Sequence, residues 1–390
     1  MVATDASDQS EENRGQVADQ NGAAPAASGG RRASAGVPQA RVTIGFRAHV
    51  AADELVRAAF GRLRQPPSAE QFRRITTETQ RAAEVFQSKG WFNDPGSFHA
   101  KPPPLLDPII RPSRAAGMRV ERLKFPSGWK PPTGVPGRQR WMQYQENSLG
   151  RATVMRHKAA GRPWVVCIHG TGQGADTDLR SFRVRHLYAE LGCNVLLVIL
   201  PLHGPRQAPK SADARFPTLD VLDNINGIAQ AAWDVRRLLG WIRTQEPAGI
   251  GLLGVSLGGY VAALVAGLEE EPLQCVLPII PATDFPGLFV QQSPPALREL
   301  MVPFMEESRQ LHSVVSPLSF TPSTPVAARA IVGGLADKLI DPVDQVAPLW
   351  EHWDRPEILW YPGGHLGHVI RGDLYSFIDR KLKSAGLSTV

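Results

Sequence analysis

Cysteine is scarce: Cys167, Cys193 and Cys275 are the three in 390 residues, far apart and without metal-type spacing. That excludes a disulfide framework and a thiolate metal centre. Cys167 and Cys193 fall inside apolar runs, where the expected role is small buried filler. Long hydrophobic runs are also missing. The longest, Val195 to Leu202, is far too short to cross a bilayer, so no integral membrane segment is expected. The opening residues, Met1-Val2-Ala3-Thr4-Asp5, have neither a basic n-region nor an apolar h-region, which sets the expectation of a cytoplasmic protein without a signal peptide. Dense basic stretches are absent too. The formal charge is +6, yet runs such as Arg31-Arg32 and Arg73-Arg74 are short, so no nucleic-acid partner is expected. No His, Asp or Glu cluster has ligand spacing, which disfavours a metal-dependent enzyme.

What is present is ordinary globular material, with 43% hydrophobic and 21% charged residues, enough for a sizeable core. Residues 1–40, rich in Ala, Gly, Ser and Gln, lack hydrophobic periodicity and read as a disordered tail. Residues 41–114 read as an extension with two helices between Ala51 and Lys89, then a proline-rich connector at Lys101-Pro102-Pro103-Pro104. In the second helix Phe72, Ile75, Ala82 and Phe86 share a face, and Gly90 stands at the C-cap. From 115 to 390 strand and helix alternate. Strands are expected at Met118–Phe125, Arg140–Tyr144, Trp164–Ile168, Asn194–Leu200, Ile250–Leu253, Gln274–Ile280, Ala328–Val332 and Glu357–Tyr361. Between them lie helices at about Asp178–Leu191 and along Ile225, Ile228, Ala232, Val235, Leu239 and Ile242, with a last one carrying Leu374, Phe377, Ile378 and Leu382. Such alternation predicts an α/β fold with a mostly parallel sheet covered on both faces.

The peptide Gly254-Val255-Ser256-Leu257-Gly258 follows a buried strand and opens a helix. In that context G-x-S-x-G has a mechanical meaning: a sharp turn lifts the serine above the sheet, and glycines two positions either side avoid a clash. Ser256 then stands at a helix N-terminus, where free N–H groups favour developing negative charge. A serine hydroxyl needs a base. Among ten histidines His365 is the candidate, in the loop after the last strand, with His368 as its nearby rival. The base needs an orienting carboxylate. Asp337, just past a strand and between serine and histidine in chain order, is the candidate, with Asp341 and Asp284 as rivals. Oxyanion donors are expected at the N–H of Leu257 and in the turn His169-Gly170-Thr171-Gly172-Gln173-Gly174, at Thr171 or its neighbours Gly170 and Gly172. No Gly-Lys-Ser/Thr follows that turn, which rules out a P-loop. His169 reads as a structural hydrogen-bonder at the base of the loop.

With these motifs in this order, the chain from Met118 to Leu387 resembles the α/β-hydrolase superfamily, in its serine ester-hydrolase, esterase- or lipase-like branch. The resemblance implies cofactor-independent acyl transfer through an acyl-serine, on a small-molecule or lipid ester or a thioester. The Pro201-Leu202-His203-Gly204-Pro205-Arg206 loop resembles one that such enzymes place near the active site. The segment at about 285–325, with Phe285, Leu288, Phe289 and Met301, stands where they carry a cap over the site, though a packing helix would look the same. Two other readings stay open: an acyltransferase using the same triad, and a catalytically silent fold used for binding or scaffolding. Substrate choice and oligomeric state are not written in these patterns.

Overall fold

The computed structural model describes residues 36–63, 67–209, 214–293 and 295–389, which fall within one compact unit spanning Ser34–Val390. The tail expected to be disordered therefore lies outside the described residues up to position 35.

A sheet is built from β1 (Ile109–Ala115), β2 (Met118–Pro126), β3 (Leu149–Met155), β4 (Trp164–Ile168), β5 (Asn194–Ile199), β6 (Ile250–Val255), β7 (Cys275–Ile279), β8 (Ala330–Gly334) and β9 (Glu357–Tyr361). Its spatial order is β1-β2-β3-β5-β4-β6-β7-β8-β9. The first pairings, through β3 with β5, are antiparallel, and those from β5 to β9 are parallel. All residues of β4 to β8 are buried, as strands covered on both faces must be, which is why they read as apolar runs and not as alternation. Pro112 lies within β1, an edge strand, where a missing N–H costs little.

The longer helices are α1 (Ile44–Leu63), α2 (Ala69–Ser88), α3 (Val221–Arg243), α4 (Leu257–Leu268), α5 (Phe285–Gln292), α6 (Pro295–His312) and α7 (Gly372–Ser384). Asp220 caps α3 by accepting from the N–H groups of Leu222 and Asp223 at 3.2 Å each. The expected stripe Ile225, Ile228, Ala232, Val235, Leu239 and Ile242 is buried on the sheet. In α2, Ile75, Ala82 and Phe86 are buried as expected and Gly90 takes φ +74° after the helix end, whereas Phe72 is about half exposed. The three cysteines are free and buried. Among the described residues no helix is long and apolar enough to cross a membrane.

Two of the local readings that fail concern helices. Arg140–Tyr144 is no strand: Arg138–Met142 is a short helix. The Arg140 guanidinium is held there by Glu78, Asp220 and Asp223, and Trp141 Nε1 donates to Gln230 Oε1 at 2.8 Å. Those partners come from α2, α3 and its cap, so tertiary contacts override a weak local alternation. The expected helix over Asp178–Leu191 breaks in two, Asp178–Ser181 and Val184–Ala189, because Arg183 between them has φ +49°.

After β4 the chain steps first to β5 on one side and later to β6 on the other. This reversal opens a crevice at the carboxyl ends of β4 and β6, the place where open α/β sheets receive ligands.

Candidate active site

Ser256 sits between β6 and α4 with φ +55° and ψ −114°, a conformation few side chains adopt and one that persists only when its surroundings enforce it. The two flanking glycines show how. A Cβ at Gly254 would meet the Gly258 carbonyl oxygen at 2.0 Å, and one at Gly258 would meet the Ile168 carbonyl oxygen at 2.0 Å. Elbow, helix start and the end of β4 are thus packed backbone on backbone. The first N–H groups of α4, beginning with Leu257, have no acceptor within the helix.

The loop after β4 is held from below. His169 is fully buried; its Nε2 accepts from the N–H of Leu200 at 3.1 Å, so the ring proton is on Nδ1, 2.8 Å from the Gly170 carbonyl oxygen. Burial first, then His203 and Arg206, push its pKa to about 3, which keeps the imidazole neutral as that pattern requires. The N–H of Gly170 donates to Gln173 Oε1 at 2.6 Å and is thereby engaged. The Pro201–Arg206 loop packs against the loop after β4: a Cβ on Gly204 would strike the Gly174 carbonyl oxygen, and the buried Arg206 pairs with Asp234 at 2.9 Å.

Asp337 and His365 are brought together. Nδ1 of His365 and Oδ2 of Asp337 are 2.8 Å apart, and Asp337 Oδ1 accepts from the N–H groups of Leu339 and Ile340 at 2.9 and 2.8 Å. Burial opposes a charge on His365, but the adjoining Asp337 carboxylate, with its hydrogen bond, and the nearby Asp53 outweigh it and raise the imidazole pKa. His365 and Ser256 line one cavity; among the described residues the imidazole bonds to Asp337, and the serine hydroxyl is not bonded to it. Such contacts commonly tighten only with substrate bound.

The rivals are accounted for locally. Asp341 caps the turn of helix at Pro342–Val346 through the N–H groups of Val343 and Asp344. Asp284 pairs with Arg309 at 2.9 Å. His368 lies against the carbonyl oxygen of His365 at 2.6 Å, with its pKa pushed down to about 4, chiefly by burial.

The cavity measures about 170 Å³. Phe285, Leu288 and Phe289 from α5 line it, as do Leu339 and Ile340. Among the described residues no Lys, Arg, Asp or Glu lines it. Nor do the described residues contain a group of three or more His, Cys, Asp or Glu able to hold a metal. Two contributors escaped the sequence. Val56 of α1 lines the cavity, and Asp53 of the same helix accepts from the backbone of His365 and Lys338. One acid in a helix of mostly exposed residues carries no pattern that could have announced it.

Comparison with known proteins bears on the fold that carries this site. Residues 146–291 match the family described as alpha/beta hydrolase domain containing 18, a span that includes the loop after β4 and the Ser256 turn. Two uncharacterized proteins of Mycobacterium tuberculosis, from strains CDC 1551 and H37Rv, are 41% and 40% identical to the chain over 353 residues, covering 90% of it and 85% of each relative. Among solved structures, an acetyl xylan esterase from Paenibacillus sp. R4 superposes with a TM-score of 0.53 at 16% identity, covering 76% of this chain and 93% of the esterase. At that identity the likeness speaks for the fold.

Proposed function

The chain belongs to the α/β-hydrolase superfamily, in one family with the two mycobacterial proteins, and from that premise we propose that it is a serine hydrolase acting on short, uncharged carboxylic esters. The observation that carries the reading is the 2.8 Å contact of His365 with Asp337 at the wall of the cavity that Ser256 enters from its strained turn. With Nδ1 engaged, Nε2 is left as the base. It takes the proton of Ser256 as Oγ attacks the ester carbonyl, and Asp337 stabilises the imidazolium that forms. The oxyanion is received by the N–H of Leu257 and, from the loop after β4, by that of Thr171. Gly170 joins only if Gln173 releases its N–H. The imidazolium then gives its proton to the departing alkoxide, and water activated by the same histidine cleaves the acyl-serine.

The apolar lining supports a neutral acyl group, and the volume limits its length. A dry cavity of about 150 Å³ accommodates benzene, so about 170 Å³ suits an acyl chain of roughly four to six carbons. The test is fluorophosphonate labelling together with p-nitrophenyl esters of graded length. Stoichiometric labelling is expected, with kcat/KM greatest for the butyrate or hexanoate and at least about tenfold lower for the palmitate. An optimum at long chains refutes the size argument; no labelling and no turnover of any ester refutes the hydrolase and moves the binding-scaffold reading forward.

The pH profile is a second expectation. Only neutral His365 accepts the serine proton, so activity falls as pH drops through its pKa. Because that pKa is raised, the acid limb of kcat/KM is expected above the ordinary imidazole value of about 6.5. In Asp337→Asn the limb should move to lower pH, since the carboxylate that favours the imidazolium is gone. A wild-type limb below 6 contradicts the assignment of His365.

A further inference from the structure

We propose that Asp53, supplied by helix α1 of the N-terminal extension, is a positioning residue that clamps the two loops carrying Asp337 and His365 into register. The proposal rests on the triad reading above. Asp53 Oδ2 accepts from the backbone N–H of His365 at 2.7 Å and from that of Lys338, next to Asp337, at 3.1 Å. One carboxylate oxygen thus bridges the loop after β9 to the loop after β8.

Three further observations favour a dedicated role over a packing accident. Among the side chains described in α1, residues 44–58, Asp53 alone is buried, at 1% exposure, while Ile44 and Leu55 lie largely in solvent. A helix docked for hydrophobic burial would put an apolar residue there; a carboxylate withdrawn from water must be compensated by donors, and here they come from the catalytic loops. Next, Gly364 makes the approach possible, because a Cβ at that position would lie 2.6 Å from Asp53 Oδ2. Finally, the His365 loop is pinned from its other side by Tyr361, whose hydroxyl donates to the Gly364 carbonyl oxygen at 2.9 Å. The peptide that sets the imidazole's origin is therefore held at both ends.

Asp53 also acts through charge. The titratable groups around His365 are Asp337 and Asp53, His368 and Tyr361 from its own segment, and His49 of α1, which lies beside Gly363 and Gly367. His368 is neutral, with its pKa at about 4, and the Tyr361 phenol is pushed up by burial. The two carboxylates are thus the charges that favour the imidazolium.

The full-length protein is compared with Asp53→Ala and Asp53→Asn in two measurements: kcat and KM for p-nitrophenyl butyrate across pH, and the His365 pKa by NMR, assigned with His365→Gln. Asp53→Ala removes the bridge and should lower kcat at least about tenfold with KM within about threefold, the effect of losing a residue that orients a catalytic one. Asp53→Asn keeps an oxygen that accepts both N–H groups. It should hold kcat within about threefold at high pH while the acid limb and the NMR pKa both move to lower pH. Should Asp53→Ala fail to fold, the shift in Asp53→Asn decides. Wild-type kcat and pH profile in Asp53→Ala overturn the proposal. So do equal losses in both variants with an unmoved His365 pKa, which mark a merely structural contact. If wild type is inert toward both fluorophosphonate and esters, the hydrolase reading fails by itself, and the NMR shift still decides the bridge.

Discussion

Replacing Ser256 by alanine is expected to abolish fluorophosphonate labelling and to lower kcat/KM for p-nitrophenyl butyrate by about three to six orders of magnitude. The size of the effect follows from how the site divides its work. In the mechanism proposed above the serine hydroxyl, the imidazole and the buried Asp337 carboxylate act on one proton, so that removing any one of them strands the others. The residual rate is what bound water would achieve beside the proposed donors at Leu257 and Thr171, which the substitution leaves in place. For the same reason the double variant Ser256→Ala/His365→Ala should be about as slow as Ser256→Ala alone, because residues that act as a unit lose most of their effect with the first removal. The protein itself should be little disturbed. Alanine retains the Cβ that φ +55° already accommodates, and only one hydroxyl at the cavity wall is lost. Thermal unfolding of wild type and Ser256→Ala is therefore expected to coincide within a few degrees. Turnover within tenfold of wild type in the alanine variant would sink the assignment, whatever the labelling shows.

Serine, carboxylate and histidine were legible because each stands at a point where the chain changes element. Ser256 ends one strand, Asp337 follows another, and His365 follows the last; apolar runs and glycine turns mark all three in the sequence. The central strands were legible for the same reason, since β4 to β8 are buried throughout and, Asn194 apart, carry no polar side chain. What escaped depends on partners distant in sequence. The segment Ile109–Ala115 looks like connector, and its proline suits that reading; it is a strand because β2 runs beside it with Pro112 opposite Glu121. Arg140–Met142 is helical in the company of acids from Glu78, Asp220 and Asp223. Asp53 is separated from His365 by 312 residues, and only folding shows that its carboxylate ends on that histidine's N–H. Periodicity reports which face of an element is buried. It does not report which buried face meets which loop.

Gly258→Ala is expected to cost about 3 kcal/mol or more of stability, toward the upper range for single substitutions. The added methyl would sit 2.0 Å from the Ile168 carbonyl oxygen and 2.6 Å from that of His169. Neither atom can yield cheaply. Ile168 ends β4, the strand paired on both sides by β5 and β6, and His169 is buried with its ring held between Leu200 and Gly170. A flexible side chain could rotate away, whereas two backbone carbonyls at the centre of a sheet move only by shifting strand or helix. Gly240→Ala is the control, in a helix of the same protein. A Cβ at Gly240, inside α3, meets nothing within 4 Å, so there alanine should stabilise by about 0.5–1 kcal/mol through lower chain entropy when unfolded. One chemical change thus has opposite signs at two helical positions, decided by what the methyl would touch. Denaturant unfolding of the two variants reads both signs, and equal midpoints would contradict the packing argument. Whatever Gly258→Ala does fold should also lose activity, by about a hundredfold, because relief of the clash moves the loop after β4 away from Leu257 and opens the distance between the two oxyanion donors.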